Sequence, residues 1–406
     1  MNPVRKAYCR IYQTCFRIAL PVLPYREPEP LASFEDAAAL LADKGIKRPL
    51  VVTDATIEKL GLTSELKRSL EAHGIEYRVF ADVVPNPTVS NVEAARTQYL
   101  DEGCDAIIAF GGGSAMDCAK AMGARIVRPN KPVSKMRGLL KILHRLPLFI
   151  AVPTTAGTGS ETTLAAVITD DATHYKYPIN DFSLIPHYAV LDYRTTLGLP
   201  KHVTSTTGMD ALVHAVEAFI GRSTTADTRA RAIEATTLIR RYLRRAYENG
   251  QDAEAREGML RAAYAAGLAF TKSYVGYVHG VAHSLGGQYG IAHGLANAVL
   301  LPYFLEEYGE AAQAKLARLA RESGVATEML GDDVRDADDE TCARAFIGWV
   351  KQMNKTMDIP TKLEGIREED IPMMAARADA ESNPLYPVPK LMDAHELEKM
   401  YRLVMA

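Results

Sequence analysis

Three of the ten histidines fall within one stretch, YVHGVAHSLGGQYGIAHGLANAVLLPY, at positions 277–303. His279 and His283 are four apart, so on a helix they share a face. His293 follows after SLGGQYGIA, whose glycines predict a break that turns the chain and brings a third imidazole back toward the first two. An earlier segment, GMDALVHAVEAF, sets Asp210 and His214 four apart on a predicted amphipathic helix, with Ala211, Val213, Ala215, Val216 and Phe219 as its apolar positions. One carboxylate and two or three imidazoles form a donor set for a divalent cation of borderline hardness. A lone histidine pair at helical spacing is more often a surface or core pair than a pair of ligands. Two such pairs, the second followed by a Gly-spaced third histidine, favour the metal.

A second group of residues points to a phosphate. The buried strand predicted at DAIIAF runs directly into GGGSAMDCAKAMGARIV. Its three glycines admit close backbone approach, and the helix that Ser114 opens directs free N–H groups and a positive dipole end at the same place. Gly112, Gly113 and Ser114 are therefore candidate phosphate contacts, although the run is not the GxGxxG fingerprint. Asp54, at the carboxyl end of the predicted strand LVV, can accept from the hydroxyls of an adenosine ribose, which would favour NAD over NADP. It is equally suited to capping a helix. The loop in LPLFIAVPTTAGTGSETTLAAVITD offers Thr154, Thr155, Thr158 and Ser160 as short neutral donors beside flexible backbone. Lys176 is a candidate phosphate or ribose contact, or a solvated lysine.

The elements that must carry these residues divide the chain. From Ser33, predicted helices and short buried strands alternate, with Ser33 capping the first helix and Asp36 at its capping-box position. Such alternation predicts a parallel sheet with helices on its faces. After Pro200 the pattern is helical almost throughout. The expected organisation is an N-terminal extension over 1–30, a Rossmann-like dinucleotide-binding α/β domain over 31–199, and an all-α metal and substrate domain over 200–406. In the extension, Val4, Tyr8, Ile11, Tyr12, Cys15, Phe16 and Ala19 form a helical face opposite Lys6, Arg10 and Arg17, and a Pro-rich tether follows. That helix is read as docking on its own domain or on a partner subunit, with a membrane-surface or targeting role as the alternative.

Composition narrows the function classes. The 406 residues are 48% hydrophobic and 24% charged, enough for a sizeable core and two domains. A formal charge of -3 leaves no electrostatic footprint for nucleic acid. Cys9, Cys15, Cys104, Cys118 and Cys342 form no CxxC pair and are odd in number, which argues against a disulfide framework and for a reducing cytoplasm. No apolar run reaches the length of a spanning helix.

With these motifs in this order, GGGSAMDCAK, PTTAGTGSE, GMDALVHAVEAF and VHGVAHSLGG…AHGLANAVLLPY, the chain resembles the iron-containing (group III) alcohol dehydrogenase family from about Leu31 to near the C-terminus. The resemblance implies the dehydroquinate-synthase-like architecture and metal ligation by Asp210, His214, His279 and His293. It implies that His283 is not a ligand but lies beside the nicotinamide and substrate. It also implies NAD(P) contacts from Asp54, Asn86 of the PNPT turn, Gly112, Gly113, Ser114, Asp117, Thr154, Thr155, Thr158 and Lys176. An aspartate at position 54 matches NAD-preferring members.

The expected activity is NAD-linked hydride transfer between the nicotinamide and the carbinol carbon of a small primary alcohol or diol, or its aldehyde. Fe²⁺ is the expected metal, with Zn²⁺ as the second candidate. His283 is the candidate proton relay, since an imidazole serves as both acid and base near neutrality. A homodimer or higher homo-oligomer is expected. The competing readings are a zinc-type glycerol or polyol dehydrogenase of the same fold, a metal-free reductase or dehydroquinate-synthase-type lyase, and a catalytically silent NAD-binding structural protein. Retention of all four implied ligands weighs against the metal-free reductase and the silent structural protein.

Overall fold

The computed structural model describes residues 1–171 and 176–406. They form two compact units, one of Pro24–Gly198 and one that joins Met1–Leu23 to Leu199–Ala406.

Among the described residues the first unit holds nine strands: β1 (Glu29–Leu31), β2 (Pro49–Val52), β3 (Arg78–Phe80), β4 (Ala106–Gly111), β5 (Gly138–Leu139), β6 (Leu148–Pro153), β7 (Ala165–Thr169), β8 (Lys176–Asn180) and β9 (Tyr188–Val190). Six of them make a parallel sheet in the order β1-β9-β6-β4-β2-β3. Successive side chains point to opposite faces, so Leu50, Val52, Ile107 and Ala109 enter one hydrophobic cluster while Val51, Ile108, Phe110 and Val152 enter the other. Both faces being covered, β2 and β4 are buried at every position and read as continuous apolar runs. The chain goes from β2 outward to β3 and returns to the other side of β2 as β4, which makes the carboxyl ends of β2 and β4 a topological switch point.

Two features of this unit were not expected from the sequence. The Pro-rich stretch before Leu31 is not a tether throughout, because Glu29–Leu31 pairs with Tyr188–Val190 as an edge strand. Pro30 is tolerated there because an edge strand leaves one side of its backbone unpaired. A smaller sheet in the order β5-β8-β7 takes β5 from before the hydroxyl-rich loop and β7 and β8 from after it, with β7 and β8 antiparallel.

The helices of this unit are α1's successors in the chain, α1 (Pro3–Ala19) itself belonging to the second unit: α2 (Phe34–Asp43), α3 (Ala55–Lys59), α4 (Ser64–Ala72), α5 (Val89–Asp101) and α6 (Gly113–Val127). Ser33 caps α2 by accepting from the Asp36 N–H, and its hydroxyl donates to the Asp36 carboxylate at 2.8 Å.

The second unit is helical, comprising α1 and then α7 (Lys201–Ile220), α8 (Ala226–Glu248), α9 (Ala253–Ser273), α10 (Tyr277–Tyr289), α11 (His293–Tyr308), α12 (Glu310–Glu322), α13 (Val325–Leu330), α14 (Asp339–Thr356), α15 (Ile371–Ser382) and α16 (Ala394–Val404). α7 was expected to be amphipathic, yet every residue from Gly208 to Ile220 is buried. The reason is that α8, α9, α11 and α12 all pack on it. Gly286 and Gly287, read as part of a chain break, lie inside α10, and the turn is made by Gly290 alone in the left-handed region at φ 68°. Among the described residues no helix is long and apolar enough to cross a membrane.

Candidate metal centre and nucleotide loop

α7 carries Asp210, His214 and Glu217 at successive helical turns, all within its buried length. Charged side chains are rarely buried without partners, so these groups require an explanation inside the unit. α10 presents His279 to them, and α11 begins at His293. Asp210, His279 and His293 each offer a ligand atom, and the three atoms lie within 4.8 Å of one another. The Asp210 Oδ1 atom is 3.8 Å from His279 Nε2 and 3.6 Å from His293 Nε2.

The fit of this group to a cation rests on two observations. His279 is 2% exposed, and its Nε2 has no hydrogen-bond partner among the described residues. The Asn297 amide nitrogen stands 2.6 Å from Asp210 Oδ1 and 3.1 Å from His293 Nε2, so an N–H₂ group faces two of the lone pairs that a cation would take. Burial drives the His279 imidazole well below its ordinary value, with the charges of His214, His293 and His283 acting in the same direction, and a neutral imidazole is the ligating form.

His214 is brought beside this group. Its ring stacks on Phe270 at 4.1 Å and on His279 at 4.4 Å between centroids, and it is absent from the set of mutually close donors. The sequence treated it as equivalent to the other three.

Three supporting residues went unnoticed in the sequence. Glu217 holds His279 Nδ1 at 2.6 Å and also accepts from the Gly276 and Val278 N–H groups at 2.7 and 2.9 Å. Burial pushes its carboxyl up to about 8, against those backbone donors. Its place one turn after His214 in VHAVEAF was a usable signal, as was the position of Asn297 four residues after His293. Glu381 on α15 had no such signal. It holds His283 Nδ1 at 2.6 Å and accepts from the Tyr386 hydroxyl at 2.7 Å. Burial pushes the Glu381 carboxyl up, but the charge and hydrogen bond of His283 and the Tyr386 hydroxyl outweigh it, leaving the group below the usual carboxylate range. The His283 ring also stacks on His293 at 5.1 Å.

Helix contact sets the spacing of these groups. A Cβ on Gly294, next to His293, would lie 2.4 Å from the Thr206 carbonyl oxygen of α7. One on Gly276 would lie 2.5 Å from Glu217 Oε1, and one on Gly280 would lie 2.3 Å from Ser382 Oγ. Only glycine permits these approaches without displacement.

In the α/β unit, β4 delivers Gly111, at φ 156°, into the N-terminus of α6, which has Gly112 as its cap residue and no side-chain cap among the described residues. A Cβ on Gly113 would press to 3.3 Å from Thr158 Cγ2, so loop and helix end are in close contact. The uncapped end, at the switch point, suits an anionic phosphate. Asn86, at φ 55°, donates its N–H to Ser114 Oγ at 3.3 Å, and its side-chain oxygen accepts from Lys176 Nζ at 2.8 Å, so Asn86, Ser114 and Lys176 form one group. Asp54 caps α3 through Oδ1, accepting from the Thr56 and Ile57 N–H groups at 2.9 and 3.0 Å. Its second oxygen remains for another donor.

Asp117 and Lys120 act on the hydroxyl loop. Asp117 accepts from Ser160 Oγ at 3.1 Å and from the Val167 N–H at 3.0 Å, which employs both carboxylate oxygens in holding the loop and β7. Lys120, fully buried, reaches the Ser160, Thr163 and Ala165 carbonyls and the Ser160 and Thr163 hydroxyls at 2.7–3.1 Å. Thr154 is tied to β4 by its N–H to the Gly111 carbonyl, and Thr158 Oγ1 accepts from the Ser160 N–H at 3.3 Å. Thr155 stands beside Gly112, whose added Cβ would be 3.5 Å from its hydroxyl.

Comparison with known proteins bears on both units. Residues 31–193 match the family model described as iron-containing alcohol dehydrogenase, and residues 204–405 match the C-terminal model of the Fe-containing alcohol dehydrogenase family. The chain is 35% identical over 346 residues to the NAD-dependent methanol dehydrogenase of Bacillus methanolicus, covering 85% of this chain and 89% of that one. It is 34% identical over 391 residues to the 1,3-propanediol dehydrogenase of Klebsiella pneumoniae, covering 95% and 98%. A crystal structure of 1,3-propanediol oxidoreductase superposes with a TM-score of 0.88 at 33% identity, covering 94% of this chain and 99% of the other.

Proposed function

Since this chain belongs to the iron-containing alcohol dehydrogenase family, we propose that it interconverts a small primary alcohol or diol and the corresponding aldehyde with NAD, using a divalent metal held by Asp210, His279 and His293 and completed by His214. The observation that carries this reading is the convergence of Asp210, His279 and His293 on one point, with His279 Nε2 buried and unbonded among the described residues. Fe²⁺ is the proposed metal, and Zn²⁺ the second candidate. When bound, the cation supplies a Lewis acid for the alcohol or carbonyl oxygen, and NAD supplies the hydride acceptor.

The chain's own residues do the rest. With a cation at His279 Nε2, whose charge opposes the upward push of burial on Glu217, the Glu217 carboxylate would accept from His279 Nδ1 and so fix the tautomer that leaves Nε2 as the ligating atom. Glu381 does the same for His283, so that its Nε2 is available to take the alcohol proton and return it. Gly112, Gly113 and Ser114 are assigned to the cofactor's pyrophosphate, with Asn86 and Lys176 beside them, and Asp54 to the adenosine ribose, where its charge opposes a 2′-phosphate. Asp117 is assigned to fixing the loop that carries Thr154, Thr155 and Thr158, through Ser160 and Val167. The five free thiols support a reducing, cytoplasmic compartment, and a homo-oligomer is part of the proposal.

The test is NAD-linked turnover across small alcohols, diols and aldehydes, with the bound metal measured in the same sample. Absence of turnover in protein loaded with Fe²⁺ or Zn²⁺ would overturn the reading.

A further inference from the structure

α1 binds its own unit through its polar side. Arg5 donates twice to the Asp379 carboxylate at 2.7 and 2.8 Å, Arg10 donates to the Val388 and Pro389 carbonyls, and Gln13 donates to the Pro384 and Tyr386 carbonyls. Cys9 and Gln13 are the buried residues of the helix. Its outer side is left apolar: Val4 is 81% exposed, Tyr8 58%, Ile11 64%, Ile18 73% and Val22 83%, and Cys15 is exposed among them. A soluble surface helix normally has the reverse arrangement.

Five of these positions, Val4, Tyr8, Ile11, Cys15 and Ile18, lie on α1 at a spacing of 4-3-4-3, the heptad repeat of a narrow coiled-coil seam, and Val22 follows in the 3-10 turn Leu20–Val22. We propose that the outer face of α1 pairs, antiparallel, with α1 of a second copy of this chain. The seam is self-complementary: a two-fold axis opposite Gln13 sets Tyr8 against Ile18 and Ile11 against Cys15 of the second copy, which is the a-to-d layering of an antiparallel pair and an isologous contact, and brings Val4 toward the 3-10 turn that carries Val22. The flanking positions add no repulsion. Ala7, Thr14 and Pro21 are uncharged on one side, and on the other Arg5, the only charge beside Tyr12 and Ala19, is neutralised by Asp379. Lys6 and Arg17 stand more than a third of a turn from the seam by helical phase, so they do not flank it as the cations of a membrane-lying helix would. A seam of this length is too short to order two free helices, but α1 is already ordered by Arg5, Arg10 and Gln13.

The proposal is independent of the catalytic reading and gives a surface to the homo-oligomer. The experiment uses the full chain in sedimentation velocity and in mild oxidation. Ile11→Cys should cross-link into a covalent dimer on oxidation, because the new thiol meets Cys15 of the second copy. Ile11→Asp/Ile18→Asp should lower the assembly state while leaving circular dichroism, metal content and turnover unchanged. Cross-linking of the unaltered protein through Cys15 to Cys15 would mean a parallel pairing and overturn the proposal. An unchanged assembly state in the double aspartate variant would overturn the seam and leave the homo-oligomer standing, whereas a monomeric unaltered chain at tens of micromolar would overturn both. Co-flotation of the unaltered chain with anionic vesicles, lost in the aspartate variant, would assign the face to a membrane and also overturn the pairing.

Discussion

Replacing Glu381 by glutamine keeps the side chain's size and an acceptor oxygen but removes the charge opposite His283. The bond at risk is 2.6 Å long and joins side chains that are 34% and 30% exposed. A hydrogen bond to a charged group contributes roughly 1.5–3 kcal/mol. Solvent reaching a third of each partner reduces that to the lower end, roughly 1–2 kcal/mol. At about 1.4 kcal/mol per factor of ten, Glu381→Gln should lower kcat/KM about 5- to 30-fold. The assay is initial-rate oxidation of a small primary alcohol with saturating NAD at pH 7–8, where Glu381, held below the usual carboxylate range, is fully ionised. Sign matters for the choice of pH: a carboxyl with a lowered folded pKa contributes above its unfolded value and loses that contribution only as pH falls through the folded one. Metal content should not change, because Glu381 bonds His283 and Tyr386 and none of Asp210, His279 or His293. The decisive control is the same substitution in a His283→Ala background, where it should have almost no effect. A full Glu381→Gln loss without His283, or loss of metal in the single variant, would refute the relay.

The remaining expectations concern the metal, the cofactor and pH. His279→Ala should abolish metal binding and turnover, and Glu217→Gln should weaken the metal about 10- to 100-fold in a chelator competition, as loss of a tautomer-fixing partner does. His283→Ala should retain the metal and lose about 10²–10⁴-fold in kcat; loss of metal here, with retention in His293→Ala, would reverse the assigned roles. Asp54→Ala should raise the ratio of NADP to NAD turnover, and a protein that already prefers NADP would deny Asp54 the ribose role. Glu161 is pushed up to about 7 by burial, partly offset by its own backbone N–H and by Lys120. The folded state therefore binds more protons than the unfolded one between the ordinary carboxylate value and about 7, and stability should fall as pH rises through that window. Thermal midpoints from pH 5 to 8 should show a shallower fall for Glu161→Gln than for the unaltered protein, and parallel curves would contradict the assignment.

What could be read from the sequence depended on chain distance. Asp210 with His214, and His279 with His283, were legible as pairs because helical spacing turns short intervals into shared faces, and the glycine run was legible because β4 leads directly into α6. His214 satisfied the same spacing rule, but its ring lies in a stack between Phe270 and His279 that no interval encodes. Glu381 lies 98 residues from His283, and only the packing of α15 on α10 brings them together. The edge strand at Glu29–Leu31 was hidden by prolines, which argue against strands in general but are tolerated at a sheet's edge. α7 is not amphipathic as expected, because Asp210 and His214, which stood opposite the apolar positions in the sequence, are themselves buried polar groups, as is Glu217.

Alanine scanning rests on the assumption that alanine is the mildest replacement, with harm measured by the atoms deleted. Around Gly276, Gly280 and Gly294 that assumption inverts, because the added methyl would come to within 2.3–2.5 Å of Glu217, Ser382 and the Thr206 carbonyl. A scan that skips glycines would pass over the positions that gauge the distances of α10 from α7 and α15 and of α11 from α7. For anyone remodelling this centre to take a different metal or a bulkier alcohol, the helix backbones are the fixed frame, and mutational freedom is confined to side chains facing the substrate.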